Sequence, residues 1–183
     1  MNHTIEHVFD VSAERLWDVY FFDEAFGRAL QERLRLRFSG MELQHEGAGP
    51  SLIVRRRLQM TARRELPGLL HRMLGDSVTL WETGDFNAER RRYSVKIEPA
   101  VRGARIECSG EYTWDTLPGG QLRRVWEGRC EARIPLVGAR IERHLLDEIE
   151  ASLAELYAFT RRWLREHPEP TRVDRDVRGP AGP

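Results

Sequence analysis

The sequence is poor in cysteine and nearly without lysine. Only Cys108 and Cys130 occur, with no CxxC pair, which excludes a disulfide framework and a thiolate metal site. Two reduced, buried thiols in a cytoplasmic protein are the expectation. Lys96 is the sole lysine, a bias with no physical account in the chain. Charge of one sign is missing too: 29 basic residues balance 29 acidic ones. That balance removes the global field that draws a protein to nucleic acid or an anionic bilayer, so no nucleic-acid partner is expected. No apolar run approaches the roughly 20 residues of a membrane span, so no integral membrane segment is expected. Residues 1–10 alternate like a strand and do not resemble a signal peptide. There is no HExxH, no tight Cys/His set and no carboxylate cluster, so neither metal nor cofactor is expected. Gly47-Ala48-Gly49 precedes a strand instead of a helix, which makes it a turn and not a phosphate loop.

What is present begins with a long amphipathic segment, 137–167. Ile141, Leu145, Ile149, Leu153, Leu156, Thr160 and Trp163 recur at steps of three and four, one stripe of an α-helix. Pro135 and Gly138 mark its start and Pro168 its stop. The segment is about 45 Å long at the usual helical rise and needs a broad apolar partner.

The rest of the chain supplies one. Ile5, His7 and Phe9 share one parity of a first strand. Ser12 and Asp23 then offer N-caps for two short helices, through Leu16, Trp17 and Tyr20 and through Phe26 and Leu30. Strands with alternating apolar residues follow, and the parity shift after Gly40 predicts a bulge. The clearest hairpin sets Ile106, Cys108, Gly110, Tyr112 and Trp114 on one face, with Trp126, Gly128, Cys130, Ala132 and Ile134 on the same face of the return strand. Pro118-Gly119-Gly120 makes its turn. One-sided alternation implies an antiparallel sheet with one wet face. The segment Leu66–Gly75 is apolar but too short for a core helix, and reads as a flap over a sheet edge. The expected division is a single domain over 1–167 and a disordered tail over 168–183, whose Pro, Gly and charge cannot build a core.

Strand, two short helices, six strands and a long helix is the order of the helix-grip fold. On Phe9-Asp-Val-Ser-Ala-Glu-Arg-Leu-Trp17, the Leu66-Pro67…Gly75 flap, Ile134–Glu142 and Thr160–Leu164, the chain resembles the START-like (SRPBCC) superfamily. Within it, the chain is similar to an uncharacterised bacterial domain-of-unknown-function family. The implied fold class is α+β: about seven curved antiparallel strands wrapped on the C-terminal helix. The resemblance also implies a cavity between sheet and helix that holds a hydrophobic small molecule or lipid.

Arg56, Leu58, Leu80, Glu82 and Tyr93 are the candidate cavity residues on the middle strands, and Leu70 and His71 on the flap. Tyr112, Trp114 and Trp126, with Trp81 beside them, come from the later strands, and Leu145, Ile149 and Leu153 from the helix. Gly110, Gly128 and Ala132 either leave room among the aromatics or merely let the strands curve. Arg56 falls on an apolar parity; the plainer expectation is a bulge that turns it outward, the alternative a buried pair with Glu82. The arginine runs 55–57 and 90–92 are interleaved with carboxylates and read as a solvated face. The three-residue hairpin turn would oppose Cys108 to Cys130, but also Glu111 to Glu127 and Glu107 to Glu131; a register two residues away is therefore expected, with separated thiols.

The function expected on these grounds is non-enzymatic binding by a monomer or weak dimer, with no catalytic residues. A polyketide cyclase or dehydratase using His71, His144 or Tyr112 is the alternative, and would require two polar groups converging on one point of the cavity. His7, His71 and His144 have no partner implied by spacing, so satisfied or half-exposed histidines are the simpler reading. A protein-binding scaffold with a solid interior is the third possibility.

Overall fold

The computed structural model describes residues 2–62, 78–100 and 105–168. The expected flap, with Leu70 and His71, and the tail over 169–183 lie outside the described residues. Strand β1 (Asn2–Phe9) leads into helices α1 (Ala13–Phe22) and α2 (Glu24–Arg33). Strands β2 (Leu36–Glu46), β3 (Ile53–Ala62), β4 (Val78–Asn87), β5 (Arg92–Pro99), β6 (Arg105–Thr116) and β7 (Leu122–Arg133) follow. Helix α3 (Gly138–Glu166) closes the fold. The seven strands form one antiparallel sheet in the order β1-β7-β6-β5-β4-β3-β2.

The local signals act where they were read. Ser12 Oγ accepts from the Arg15 amide at 3.1 Å and Asp23 Oδ1 from the Phe26 amide at 2.9 Å, each satisfying an orphan donor at a helix start. The β2–β3 register slips between Phe38 and Gly40, leaving Ser39 as the extra residue of a bulge. Along β7 the even positions Leu122 to Ala132 are all buried. Opposite them the wet face carries an ion-pair mesh: Lys96 with Glu98 and Glu107, Arg92 with Glu111, Arg123 with Asp115. Trp81 also belongs to this outer face, under the Arg57 guanidinium at 5.2 Å, and not to the interior.

The hairpin register departs from expectation. Cys108 pairs directly with Cys130, Glu111 with Glu127 and Glu107 with Glu131. Gly119 (φ 96°) and Gly120 (φ 85°) take the left-handed region in succession, which only this turn chemistry allows, and so hold the direct pairing. Like-charge repulsion is relieved sideways, by Arg92 and Ser94 on Glu111, Lys96 on Glu107, and Arg129 and Arg133 on Glu131. The two cysteines are adjacent free thiols.

Helix α3 is unbroken and packs on β7 and β1. A Cβ on Gly138 would strike the Ala132 carbonyl, so the helix starts in close contact with the end of β7. Glu142 Oε1 accepts from the Ala132 amide at 2.9 Å just above. The buried face includes Leu146 and Phe159, which the reading of one stripe omits. At the other end, Phe26 of α2 meets Phe159 and Trp163 at ring distances of 5.6 and 5.7 Å. Trp17 of α1 sits within 4.8 to 6.4 Å of Phe86, Tyr93, Tyr112 and Trp114. The α1–α2 elbow thus plugs one end of the sheet with aromatic rings, and α3 covers mainly the β1, β7 and β6 side.

Candidate functional site

Because α3 leans on β7, β1 and the start of β6, and α1 packs on the Phe86, Tyr93 and Trp114 end, part of the inner face of β3 to β6 is left without a helix against it. The described residues line a partly open cavity of about 760 Å³ there, bounded by α1, α2, β2 and α3. That size falls within the roughly 300–1,000 Å³ of small-molecule sites. Helix α3 contributes His144, Leu145, Glu148, Ile149, Ser152, Leu153 and Leu156, two neighbouring rows at steps of four. Its remaining apolar residues serve packing: Ile141 joins Ile106 and Ala132, and Leu146 joins the two cysteines.

The floor depends on glycine. A Cβ on Gly110 or Gly128 would run into the Trp126 indole, so the ring lies flat across two residues with no side chain. Lying down instead of standing, Trp126 floors a space that an upright ring would fill. Gly84 does the same for Tyr93, whose hydroxyl is thereby carried onto Arg56.

At one end the apolar wall gives way to a polar cluster. Arg56 Nη2 donates to Glu82 Oε1 at 2.5 Å, to the Tyr93 hydroxyl at 2.9 Å and to the Tyr20 hydroxyl at 3.4 Å. Both charged side chains are about nine-tenths buried, at 10% and 12% exposure. Burial opposes the Arg56 charge, yet Tyr93 and Glu82 outweigh it, and its pKa stands above the ordinary guanidinium value. Burial raises Tyr93 and Tyr112, keeping both hydroxyls protonated. Arg56 Nε, although buried, has no hydrogen-bond partner among the described residues.

A second buried arginine lies outside the cavity. Arg124 is 2% exposed, between the rings of Phe9 and Tyr112 at 5.0 and 5.1 Å, with no carboxylate on it among the described residues. Its Nη2 lies 3.2 Å from His7 Nδ1, and His7 stacks on Tyr157 at 4.3 Å. Burial lowers the Arg124 pKa; burial and then Arg124 bring His7 down to about 4.

Of the expected cavity residues, Arg56, Leu58, Leu80, Glu82, Tyr112, Trp126, Leu145, Ile149 and Leu153 line the space. Arg56 takes the inward alternative, paired with Glu82, and the strand bulge that could have turned it outward lies in β2. Tyr93 does not line the cavity: it is fully buried and bears on it through Arg56. Trp114 faces a smaller space of about 200 Å³ under α1, stacked on Phe86 at 5.3 Å. The sequence reading missed Tyr20, Met60, Ile97 and Leu156 in the wall, and missed Arg124, whose even parity between Leu122 and Trp126 was the available signal.

A family model described as Protein of unknown function (DUF2505) matches residues 4–164. No curated protein matches the chain. Among solved structures, the protein TTHA0849 from Thermus thermophilus is 15% identical, covering 92% of this chain and 100% of that one, with a TM-score of 0.59. The Zhui aromatase/cyclase from Streptomyces sp. R1128 is 15% identical over 92% and 98%, TM-score 0.54. Ara h 8.0201 is 12% identical over 91% and 100%, TM-score 0.52. These likenesses show the helix-grip fold.

Proposed function

We propose, for a chain that belongs to the family described as Protein of unknown function (DUF2505), that it binds a hydrophobic small molecule or lipid between the sheet and α3. The observation that carries this reading is the 760 Å³ cavity with mostly apolar walls and the Arg56–Glu82 cluster set among them. Burying apolar ligand surface supplies affinity at about 25 cal/mol per Å². The hydroxyls and Arg56 at the polar end orient the molecule.

Binding suits these groups better than catalysis, and His144, the other candidate in the wall, has no orienting partner on its buried Nε2 among the described residues. General acid–base chemistry needs a group that gives and takes a proton near the working pH. Tyr93 and Tyr112 are held protonated by burial, and Arg56 is held charged by Glu82 and the tyrosines. These side chains hold a ligand in place without changing their own protonation. No helix among the described residues is long and apolar enough to cross a membrane. The cytoplasmic setting that suits free thiols completes the reading.

Native mass spectrometry of the purified full chain is the test. A small apolar molecule that co-purifies, and is lost on acid unfolding, is the expected result. The neutral fluorophore N-phenylnaphthylamine checks the cavity independently. Its emission rises on binding; a protein that neither carries a small molecule nor takes up the fluorophore overturns the proposal.

A further inference from the structure

The polar end of the cavity says which headgroup belongs there. Arg56 is no free cation, because Glu82 neutralises it at 2.5 Å with both side chains about nine-tenths buried. An anionic headgroup would compete with a carboxylate already in place and leave one of the two without a partner. A cationic headgroup meets the converse obstacle, since Glu82 is engaged by Arg56. The rest of the described wall adds no positive field. Its carboxylates are Asp23, Glu24, Glu82 and Glu148 and its guanidiniums Arg28 and Arg56, a formal excess of two negative charges. What the cluster does offer is neutral hydrogen bonding: the hydroxyls of Tyr20 and Tyr112 at the wall, while Arg56 Nε is buried beneath it. The space is elongated too, since its α3 wall runs from His144 to Leu156, about 18 Å at the usual helical rise.

We infer that the cavity selects an elongated apolar molecule ending in an uncharged hydrogen-bonding group, an alcohol, phenol, ketone or ester, and rejects the ionised ends of fatty acids, phospholipids and alkylamines. The inference rests on the ligand-binding reading above. Selectivity arises because an ionised headgroup would lose its hydration without gaining a free counter-charge, whereas a hydroxyl or carbonyl accepts from the Tyr20 or Tyr112 hydroxyl and leaves the Glu82 pair intact.

The test compares decanol, decanoate and decylammonium on the full chain at about pH 7, by displacement of N-phenylnaphthylamine. Decanol is expected to bind at least about ten-fold more tightly than either ion. Glu82→Gln, which leaves Arg56 charged without a partner, should narrow the decanol-to-decanoate ratio about ten-fold. Should that variant fail to fold, Tyr20→Phe with Tyr112→Phe removes the neutral hydrogen-bonding groups from the wall; the ratio of decanol to N-phenylnaphthylamine affinity should then fall about ten-fold. Decanoate binding as tightly as decanol to the native chain overturns the inference. So does an unchanged decanol-to-decanoate ratio in Glu82→Gln, or an unchanged decanol-to-fluorophore ratio in the double variant. Each of these leaves the hydrophobic cavity standing, because the fluorophore still binds. Failure of the fluorophore and of all three alkyl probes removes instead the reading on which the inference rests.

Discussion

Acid should loosen this fold through one histidine. Arginine has no acceptor, so the 3.2 Å contact between Arg124 Nη2 and His7 Nδ1 requires a bare Nδ1, and therefore an uncharged imidazole. Among the described residues, the groups facing His7 are Arg124 from β7, Phe9 from its own strand and Tyr157 from α3, none of them a carboxylate. Protonation would place two cations side by side in a nearly dry site. Its pKa accordingly falls from 6.5 to about 4, through burial first and the Arg124 charge second. The unfolded chain then binds the proton that the folded chain refuses. Stability is fully present above about pH 6.5 and is lost as pH falls toward 4. The loss approaches about 1.4 kcal/mol per pH unit and totals about 3 kcal/mol at the lower limit. At about pH 5 it amounts to about 2 kcal/mol. His7→Gln keeps an acceptor for Arg124 but cannot titrate. Urea unfolding followed by tryptophan emission, at about pH 7.5 and about pH 5, should show the native chain losing about 2 kcal/mol more than His7→Gln. Equal losses in the two proteins would refute the reasoning, as would a His7 NMR titration in the folded state centred near 6.5.

Further tests address other parts of the structure. Glu82→Ala strands the Arg56 guanidinium in a nearly dry site and should cost about 3 kcal/mol in urea unfolding, most of it regained when Arg56→Met is added. Gly128→Ala drives a Cβ into the Trp126 indole; the ring must lift into the cavity, at a cost of about 2 kcal/mol and with a shift in tryptophan emission. Cys108 and Cys130 are buried, so native protein should leave a thiol-reactive dye uncoloured, and both should react once denaturant is added. The Cys108 thiol, raised by its contact with Cys130 and by burial, should stay unmodified longest as pH is increased in the folded state.

How far the fold was legible follows from what one-dimensional periodicity encodes. Period and capping chemistry are local, and they located α3 to within a residue at each end, placed the caps at Ser12 and Asp23, and marked the bulge beside Gly40. Facing is also local, which is why β7 alternates as read. Depth is not. Arg124 shares its parity with Leu122 and Trp126, and only the tertiary arrangement of Phe9, Tyr112 and His7 makes an arginine tolerable there. The hairpin register failed for a related reason. Opposed glutamates look repulsive while two strands are considered; on Glu107 and Glu111 the relieving charges come from β5, a third strand.

The cavity shows the limit most clearly, because the same composition is compatible with a solid interior and a hollow one. Aromatics beside glycines left both open. What separates them is the attitude of a single ring: Trp126 lies across Gly110 and Gly128, and Tyr93 across Gly84, so large side chains occupy thickness at the sheet and leave the middle empty. Rotamers of this kind depend on the missing Cβ of a residue two positions along and of another on the neighbouring strand, a coincidence that no periodicity reports. Nor can the stripe on α3 report it. Its row Leu145, Ile149 and Leu153 packs on the core clusters along one edge and becomes a cavity wall along the other because the helix leans toward β7 and β1. Hydrophobicity in this chain therefore has two destinations, packing and vacancy, and the glycines under Trp126 decide between them.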